Sequence, residues 1–362
     1  MNRWRRWAAL AIVVAAIAGI IVVLQLTIAP KTGGSAPIAT GTTAPEFTDI
    51  AEWLNSPPLT LASLRGKVVV VDFWDYSCIN CIRTVPYLKQ WNAKYASSGL
   101  VIVGVHSPEF EFEKATDNVR QAAAKAGMTW PLALDNDFAT WRAYGNQYWP
   151  HKYLIDKDGR LRYDHIGEGG YAETEQRIRG LLGEAGHDLS AIAPGEPDAA
   201  TSNARITREV YAGYERAIGG YLGNFQAAQR DQPADFTDPG TSQDGQFFLQ
   251  GAWQINAENA QHARQTQNFE DYVTISYTAA SVNAVLRSQG PALTVQVTLD
   301  GKPVPIADRG VDILMDPAGQ TYLMVDAPRL YYVLSSKTVG VHKLKLAVSS
   351  SDFLFYTFTF GS

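Results

Sequence analysis

The stretch KVVVVDFWDYSCINC, residues 67–81, decides the fold of the first half of this chain. Residues 68–74 are apolar except for Asp72, and such a run is typical of a strand buried on both faces of a sheet. Apolar residues then recur at helical spacing, at Ile82, Val85, Leu88, Trp91 and Tyr95. A second apolar strand follows at 100–105 (LVIVGV). The pattern predicts a βαβ unit and therefore an α/β domain built on a parallel sheet.

The whole chain has two cysteines, Cys78 and Cys81, and they lie three positions apart. A disulfide that closes so small a loop adds little stability, so a purely structural bond is poorly supported. Residues at positions i and i+3 face each other on the first turn of a helix, so the two sulfurs can meet. The helix N-terminus stabilises the thiolate of Cys78, which makes it the expected nucleophile. Cys81 is the expected resolving thiol, and the Cys78–Cys81 disulfide itself replaces any cofactor.

A zinc site and an inert disulfide remain open as alternatives for the cysteine pair. A zinc site would need two further ligands, for which His106 and His151 are the candidates. No second paired ligand motif accompanies the cysteines, although structural zinc sites usually have one. The redox dithiol is therefore the favoured prediction.

The segment VDFWDYSCINCIRTVP resembles the active-site segment of thioredoxin-like proteins. A longer pattern resembles the extracytoplasmic part of the DipZ family, which is related to TlpA-like oxidoreductases. The pattern comprises WLNSPPLTLASLRGKVVVVDFWDYSCINC, GVHSPEFEFEK, ALDNDFATWRAYGNQYWPHKYLIDKDGRLRYDHIGEGGYAETE and, nearer the C-terminus, YAGYERA, FFLQGAWQINAENA and FLFYTFTFG. The resemblance implies a thioredoxin-like domain that exchanges thiols and disulfides with protein substrates. It also implies a β domain like a carbohydrate-binding module, and an electron donor of the CcdA membrane type.

The resemblance assigns roles to residues around the dithiol. Asp72, six residues before Cys78, takes the position of the buried acid that relays protons to the resolving cysteine; an exposed acid at the strand end is the alternative. Pro150 matches the cis-proline that faces the dithiol, and the backbone of Trp149 would pair with a substrate strand. An ordinary trans proline is the alternative there.

Side chains close to the cysteines are expected to shape the substrate groove. Tyr76 lies in the segment where thioredoxins commonly carry a tryptophan before the first cysteine, and the dipeptide Ile79-Asn80 lies between the two cysteines. All three are predicted to contact substrate. Glu109 and Glu113 are candidates for a second acid near the site. As isolated carboxylates they are more often solvated or helix-capping.

The N-terminus predicts a membrane anchor over residues 1–29. Three arginines near the start precede an apolar run that begins at Trp7 and is long enough to cross a bilayer. Arginines stay on the cytoplasmic side, so a single-pass protein with its remaining domains outside the cytoplasm is expected. Secretion after cleavage of a signal peptide is the alternative. Residues 30–45 are rich in Gly, Ser, Thr and Pro and predict a flexible linker.

The remainder divides into a thioredoxin-like domain at 46–188, a linker at 189–203 and a β domain at 204–362. After one possible helix near 208–216, short alternating strands predict a β-sandwich or jelly roll. Trp253, Tyr331 and Tyr332 are candidates for a sugar-stacking platform, with a place in the core as the more common alternative.

The composition limits the classes of partner and function. The net charge is −5, and no basic run follows the first few residues, so nucleic acid is not an expected partner. A thiol peroxidase lacks support because its characteristic cysteine motif is absent. The main alternative to an oxidoreductase is an envelope module that binds glycan or protein, with a vestigial redox domain.

Overall fold

Every side chain of strand β2, Val68–Trp74, is buried in the computed structural model. Alternate residues enter one hydrophobic cluster, namely Val68, Val70 and Trp74. The residues between them enter a second cluster, namely Val69, Val71 and Phe73. Because successive side chains of a strand point to opposite faces, the two clusters lie on the two sides of the sheet. The prediction of a doubly covered strand is confirmed.

The structure describes residues 39–195, 198, 204–216, 220–241 and 243–362. The predicted anchor at 1–29 and most of the predicted linker at 30–45 lie outside the described residues. Within the described ranges, every helix is too short or too polar to span a bilayer.

The α/β half contains a mixed six-stranded sheet in the order β1-β4-β3-β2-β5-β6. Besides β2, its strands are β1 (Glu52–Leu54), β3 (Leu100–His106), β4 (Leu132–Leu134), β5 (His151–Ile155) and β6 (Leu161–Ile166). Strand β3 runs parallel to both β2 and β4, as the predicted βαβ unit requires. Strands β5 and β6 form an antiparallel hairpin.

The helices of this half are α1 (Ile79–Tyr95), α2 (Thr116–Ala126), α3 (Ala139–Ala143) and α4 (Tyr171–Glu184). Helix α1 buries Cys81, Val85, Leu88, Trp91 and Tyr95, which is the face that the sequence pattern predicted. Cys78 is the N-cap residue of α1, so the cysteine pair lies on its first turn.

The second half is all-β. Its strands are β7 (Val210–Tyr211), β8 (Pro233–Phe236), β9 (Phe247–Ile255), β10 (Ala260–His262), β11 (Asp271–Ser288), β12 (Leu293–Leu299), β13 (Lys302–Pro303), β14 (Leu314–Met315), β15 (Thr321–Val325), β16 (Arg329–Val348) and β17 (Phe353–Gly361). They form one hydrogen-bonded sheet of eleven strands, with the core order β14-β15-β12-β16-β11-β17-β10-β9-β8. The all-β class is confirmed, and its assignment as a sandwich or jelly roll stays a prediction.

Two details of the all-β half differ from the sequence prediction. The predicted helix near 208–216 is absent: Val210–Tyr211 pairs with β17, and residues 213–216 form a turn. Val210 is buried in the β core while Tyr211 packs toward the other half, an alternation that belongs to a strand. In addition, the sequence predicts only short strands, whereas the structure has two long ones, β11 and β16, which stay paired across β-bulges.

The two halves share a buried interface within one compact unit, Ile38–Ser362. One hydrophobic cluster contains Cys81 and Leu88 from the α/β half together with residues of the all-β half, namely Val285, Leu330, Leu354 and Tyr356. The ring of Tyr356 lies 5.0 Å from that of Phe110 and 4.9 Å from that of Phe112, in edge-to-face contacts. The all-β half therefore packs against the side of the α/β half that carries the cysteines.

The described part of the predicted linker at 189–203 packs on the α/β half. Leu189 is buried, and the Asp198 carboxylate accepts hydrogen bonds from the backbone N–H groups of Tyr171 (3.0 Å) and Ala172 (2.9 Å). These N–H groups lie at the start of α4 and have no partner within the helix. Asp198 therefore caps α4.

Candidate active site

Cys78 and Cys81 form a disulfide at the N-terminus of α1, with their Cα atoms 5.3 Å apart. The backbone N–H of Cys81 also donates to Cys78 Sγ over 3.2 Å. Cys78 is partly exposed, whereas only 2% of Cys81 is accessible. An incoming thiol or disulfide can therefore reach Cys78 and not Cys81. The roles of Cys78 as nucleophile and Cys81 as resolving thiol stay predictions.

Asp72 is buried on the face of β2 that packs under α1. It alternates with Val70 and Trp74, which belong to the same cluster as Cys81. Burial raises the pKa of Asp72 to about 7, and the positive charge of Lys152 partly opposes that rise. Its Oδ1 has no hydrogen-bond partner among the described residues. The alternative of an exposed acid at the strand end is wrong for Asp72.

Lys152 is a residue of the site that the sequence prediction missed. It is the cross-strand partner of Asp72 in the β2–β5 pair, and only 1% of it is accessible. Its Nζ donates to the carbonyl oxygen of Gly167 over 2.9 Å, and burial lowers its pKa. The signal in the sequence was a lysine in the strand that follows Pro150, directly before the apolar residues 153–155. A buried acid and a buried base thus lie side by side under α1.

The Trp149–Pro150 peptide bond is cis, as the resemblance implied. Pro150 is buried and Trp149 is partly exposed. The indole Nε1 of Trp149 donates to the carbonyl oxygen of Ser107 over 2.9 Å, which ties this loop to the end of β3. The next residue, His151, contacts the Asn146 and Asp164 side chains through its two ring nitrogens.

The residues that flank the cysteines lie at the interface between the halves. The Tyr76 side chain is buried, stacks on the ring of His106, and donates its hydroxyl to the carbonyl oxygen of Pro328 over 3.3 Å. Ile79 is also buried, whereas Asn80 is partly exposed. Since Pro328 precedes β16, the all-β half forms one boundary of the surface around Cys78. The substrate contacts predicted for Tyr76, Ile79 and Asn80 stay predictions.

A cluster of buried acids lies directly beside the cysteines. Asp75 and Glu113 are fully buried, and burial raises the pKa of both carboxyls. The charge of Glu109 adds to the rise at Asp75, and the charge of Asp75 adds to the rise at Glu113. Ser77 links the pair to the cysteine segment, because its N–H donates to Asp75 Oδ1 over 3.0 Å and its hydroxyl donates to Glu113. Glu113 also accepts from the N–H of Glu109, at 2.6 Å.

The sequence placed Glu113 near the site and missed Asp75 and Ser77. The alternative that Glu113 is solvated is wrong, because the side chain is buried. The alternative that it caps a helix is confirmed, because its carboxylate accepts hydrogen bonds from backbone N–H groups at the start of a short 3-10 turn. An aspartate one residue after a buried strand is too common a feature to reveal Asp75 in advance.

The histidines of the zinc alternative do not assemble with the cysteines. His106 is completely buried, and burial lowers its pKa to about 3, so its ring is neutral. Its Nε2 lies 3.8 Å from Asp75 Oδ1, beyond hydrogen-bond distance. Among the residues that the structure describes, no group of three or more His, Cys, Asp or Glu side chains is arranged to hold a metal ion.

Two of the three aromatic candidates for a sugar platform belong to the β core. Trp253 and Tyr331 are fully buried, and only Tyr332 is partly exposed. The core alternative is therefore confirmed for Trp253 and Tyr331, and these two rings offer no face to a sugar.

Comparison with known proteins separates the chain into the same two halves. Residues 39–181 match the Redoxin family model, and residues 207–361 match the model described as thioredoxin like C-terminal domain. Protein DipZ of Mycobacterium tuberculosis is 37% identical over 300 residues, which cover 81% of this chain and 42% of that protein. The chain thus spans about two fifths of the length of its DipZ relatives.

Two shorter relatives match the α/β half over most of their own length. The thiol-disulfide oxidoreductase YkuV of Bacillus subtilis is 31% identical over 140 residues, which are 39% of this chain and 94% of that protein. The thiol-disulfide oxidoreductase ResA of Geobacillus thermodenitrificans is 32% identical over 144 residues, 40% of this chain and 79% of that protein. With its cysteine pair at the start of α1 and its all-β second half, the chain belongs to the thioredoxin-fold thiol-disulfide oxidoreductases and is DipZ-like.

Proposed function

We propose that this chain exchanges thiols and disulfides with envelope proteins through Cys78 and Cys81. The observation that carries the proposal is the disulfide on the first turn of α1, with Cys78 partly exposed and Cys81 buried. A bond placed for structure alone gains nothing from one accessible sulfur at a helix N-terminus, whereas a redox pair needs that arrangement.

In the reducing direction, the Cys78 thiolate attacks one sulfur of a substrate disulfide. A mixed disulfide forms and the other substrate sulfur leaves as a thiolate, which takes up a proton. Cys81 then loses its proton and attacks Cys78, which releases the second substrate thiolate and restores the Cys78–Cys81 disulfide. Two electrons pass from the dithiol to the substrate. The same steps in reverse oxidise a substrate dithiol, and the reduction potentials of the two partners set the direction.

Asp72 is the proposed acceptor of the proton that Cys81 loses. An acid with a pKa of about 7 is close to half ionised at neutral pH, so it can both take up and return a proton there. Lys152 opposes the effect of burial on Asp72 and keeps that pKa from rising further. Both residues lie under the helix that carries the cysteines.

The proposal is tested by reduction of insulin disulfides by the full chain in the presence of a thiol reductant. Wild type is expected to accelerate precipitation of the insulin B chain, and Cys78→Ser is expected to abolish the acceleration. Ser190→Ala, a change of an exposed residue in the same half, serves as the control. Equal rates for wild type and Cys78→Ser would reject the proposal.

The proposed place of action is the outer face of a membrane, to which residues 1–29 tether the chain. The support is the run of arginines before a long apolar segment. Fractionation of cells that express the full chain is expected to place it in the membrane pellet after a high-salt wash. Recovery of the chain in the soluble fraction contradicts the tether and favours secretion.

The proposed electron donor is a membrane protein of CcdA type, supported by the resemblance to DipZ proteins, which carry such a domain. In a Cys81→Ser chain the Cys78 thiolate can attack the disulfide of the oxidised donor, and no Cys81 is present to break the bond that forms. This chain is expected to accumulate a mixed disulfide with the donor in intact cells. If the trapped species contain envelope proteins and no membrane redox protein, the donor is of another kind.

A further inference from the structure

The acid cluster beside the cysteines reaches the all-β half through Glu109. The Glu109 side chain is 8% accessible, and its backbone N–H donates to Glu113. Its carboxylate accepts a hydrogen bond from the Tyr211 hydroxyl over 2.8 Å and is ion-paired with Arg216. Arg216 also donates to the Glu109 carbonyl oxygen over 3.1 Å. Tyr211 and Arg216 of the all-β half therefore hold Glu109 of the α/β half in place.

Arg216 contacts the substrate side of the site as well. Its guanidinium lies 5.7 Å from the centre of the Trp149 ring, 5.7 Å from that of Phe110 and 5.5 Å from that of Tyr211. Trp149 is the residue before the cis-proline. Stacking of a guanidinium on aromatic rings stabilises both partners and fixes their orientation. Arg216 thus joins the loop before Pro150 to the acid cluster.

The segment 210–216 is held on the all-β half by its backbone. Ala212 N–H donates to the Tyr356 carbonyl over 2.8 Å, and Tyr214 N–H donates to the Asn256 carbonyl over 3.0 Å. Between them, a Cβ on Gly213 would lie 2.2 Å from the carbonyl carbon of Glu258, so only glycine allows this approach. The all-β half therefore fixes the positions from which Tyr211 and Arg216 extend.

Arg216 lies among many carboxylates. The carboxylates whose charges act on this cluster come from both halves, namely Asp75, Glu109, Glu111, Glu113, Glu209, Glu215 and Glu258. The positive charge of Arg216 favours the ionised forms of Asp75 and Glu258, and burial keeps the Tyr211 hydroxyl protonated by raising its pKa. The Arg216 guanidinium therefore offsets part of the negative charge of the acid cluster, whose members Asp75 and Glu113 accept hydrogen bonds from Ser77, the residue before Cys78.

We propose that the all-β half completes the redox site, with Tyr211 and Arg216 as positioning residues that hold Glu109 and Trp149 and balance the charge beside Cys78. The inference rests on the proposed disulfide exchange. It gives the second half of the chain a role in the reaction itself, in addition to any ligand that it binds.

The test compares Arg216→Met, Arg216→Lys and Tyr211→Phe with wild type, all as full chains. Arg230→Met is the matched control, because Arg230 stacks on Tyr214 of the same segment, 4.7 Å from its ring centre. Three quantities are measured: the pH midpoint for alkylation of Cys78 in the reduced protein, kcat and KM for insulin reduction, and the thermal midpoint.

Loss of the positive charge in Arg216→Met is expected to raise the alkylation midpoint by about 0.5 pH unit or more, because the thiolate loses a stabilising charge. Arg216→Lys keeps the charge, so its midpoint should stay near that of wild type. Both variants should lose about tenfold in kcat/KM, since lysine cannot replace the planar contact with Trp149. Tyr211→Phe, which removes only one hydroxyl, should lower kcat/KM by a smaller factor.

The proposal is overturned if Arg216→Met has the alkylation midpoint and the kcat/KM of Arg230→Met. It is also overturned if every variant that loses activity also has a lower thermal midpoint while its alkylation midpoint equals that of wild type. The alkylation midpoint needs no substrate. If wild type fails to reduce insulin while the midpoint still shifts in Arg216→Met, the proposed function fails and the link between the halves stands.

Discussion

Replacement of Asp72 by asparagine should make the protein more stable at alkaline pH. Asp72 is buried without a partner for Oδ1 among the described residues, so its ionised form is costly in the folded state. The folded protein therefore holds the Asp72 proton more tightly than the unfolded chain does. An asparagine has a similar shape and carries no charge at any pH, so the variant lacks this cost.

The size and the sign of the effect follow from the pKa of Asp72. Burial raises it from 3.8 to about 7. Between these two pH values the unfolded chain has released the proton and the folded protein still holds it, so stability falls as pH rises. Each pKa unit corresponds to about 1.4 kcal/mol, so the loss amounts to about 4 kcal/mol. Below about pH 4 Asp72 is protonated in both the folded and the unfolded chain, so it no longer lowers the stability.

The assay is denaturant unfolding of the oxidised chain from about pH 4 to pH 8, for wild type, Asp72→Asn and the exposed-turn control Asp158→Asn. The difference in the free energy of unfolding between wild type and Asp72→Asn reports the effect of Asp72 alone, because the other titrating groups are the same in both chains. Buried His106 acts in the opposite direction, because burial lowers its pKa to about 3 and stability then rises with pH up to about 6.5. The advantage of Asp72→Asn over wild type should grow by about 4 kcal/mol across this range. A constant difference would refute the assignment of Asp72 as a buried acid.

Three further changes test other parts of the structure. The pH range over which stability falls because of Asp72 ends near the pKa of Asp72 in the folded protein. Lys152→Met should move that upper end to higher pH in the same titration, since the lysine charge lowers the pKa of Asp72. An unchanged upper end refutes this coupling. His262→Asn removes the buried 2.8 Å contact of His262 Nε2 with Asp271, which keeps its bonds from Arg264, and should cost about 1–3 kcal/mol. The more exposed His342→Asn should cost about 1 kcal/mol or less, both by denaturant unfolding. Gly180→Ala, at an exposed position of α4 where a Cβ has free space, should stabilise the chain by about 0.5–1 kcal/mol, and a loss of stability contradicts the open environment.

The sequence predicts those features that depend on local pattern. The apolar run of β2 and the helical spacing of α1 follow from periodicity, and they are enough to place Cys78 at a helix start. The burial of Asp72 follows from the same pattern once β2 is known to be covered on both faces. Lys152 lies next to it only because β5 pairs with β2 in one register, which local patterns leave open.

Local sequence patterns do not predict the contacts of Tyr211 and Arg216 with Glu109, which link the two halves. Arg216 and Glu109 are 107 positions apart, and the segment 208–216 carries helical propensity that its pairing with β17 overrides. A partly buried arginine among carboxylates appears only when both halves are folded together. The burial of Tyr76 against Pro328 has the same origin, since a residue that borders a groove in a single domain becomes an interface residue here.

In the proposed reaction Cys78 attacks and Cys81 resolves. The most direct test mixes the reduced Cys81→Ser chain with oxidised insulin and identifies the linked cysteine by mass spectrometry under non-reducing conditions. A stable mixed disulfide through Cys78 is the predicted product, and Cys78→Ser should give little or none. If the two single variants trap insulin equally, or if Cys78→Ser traps it better, the assigned roles are wrong.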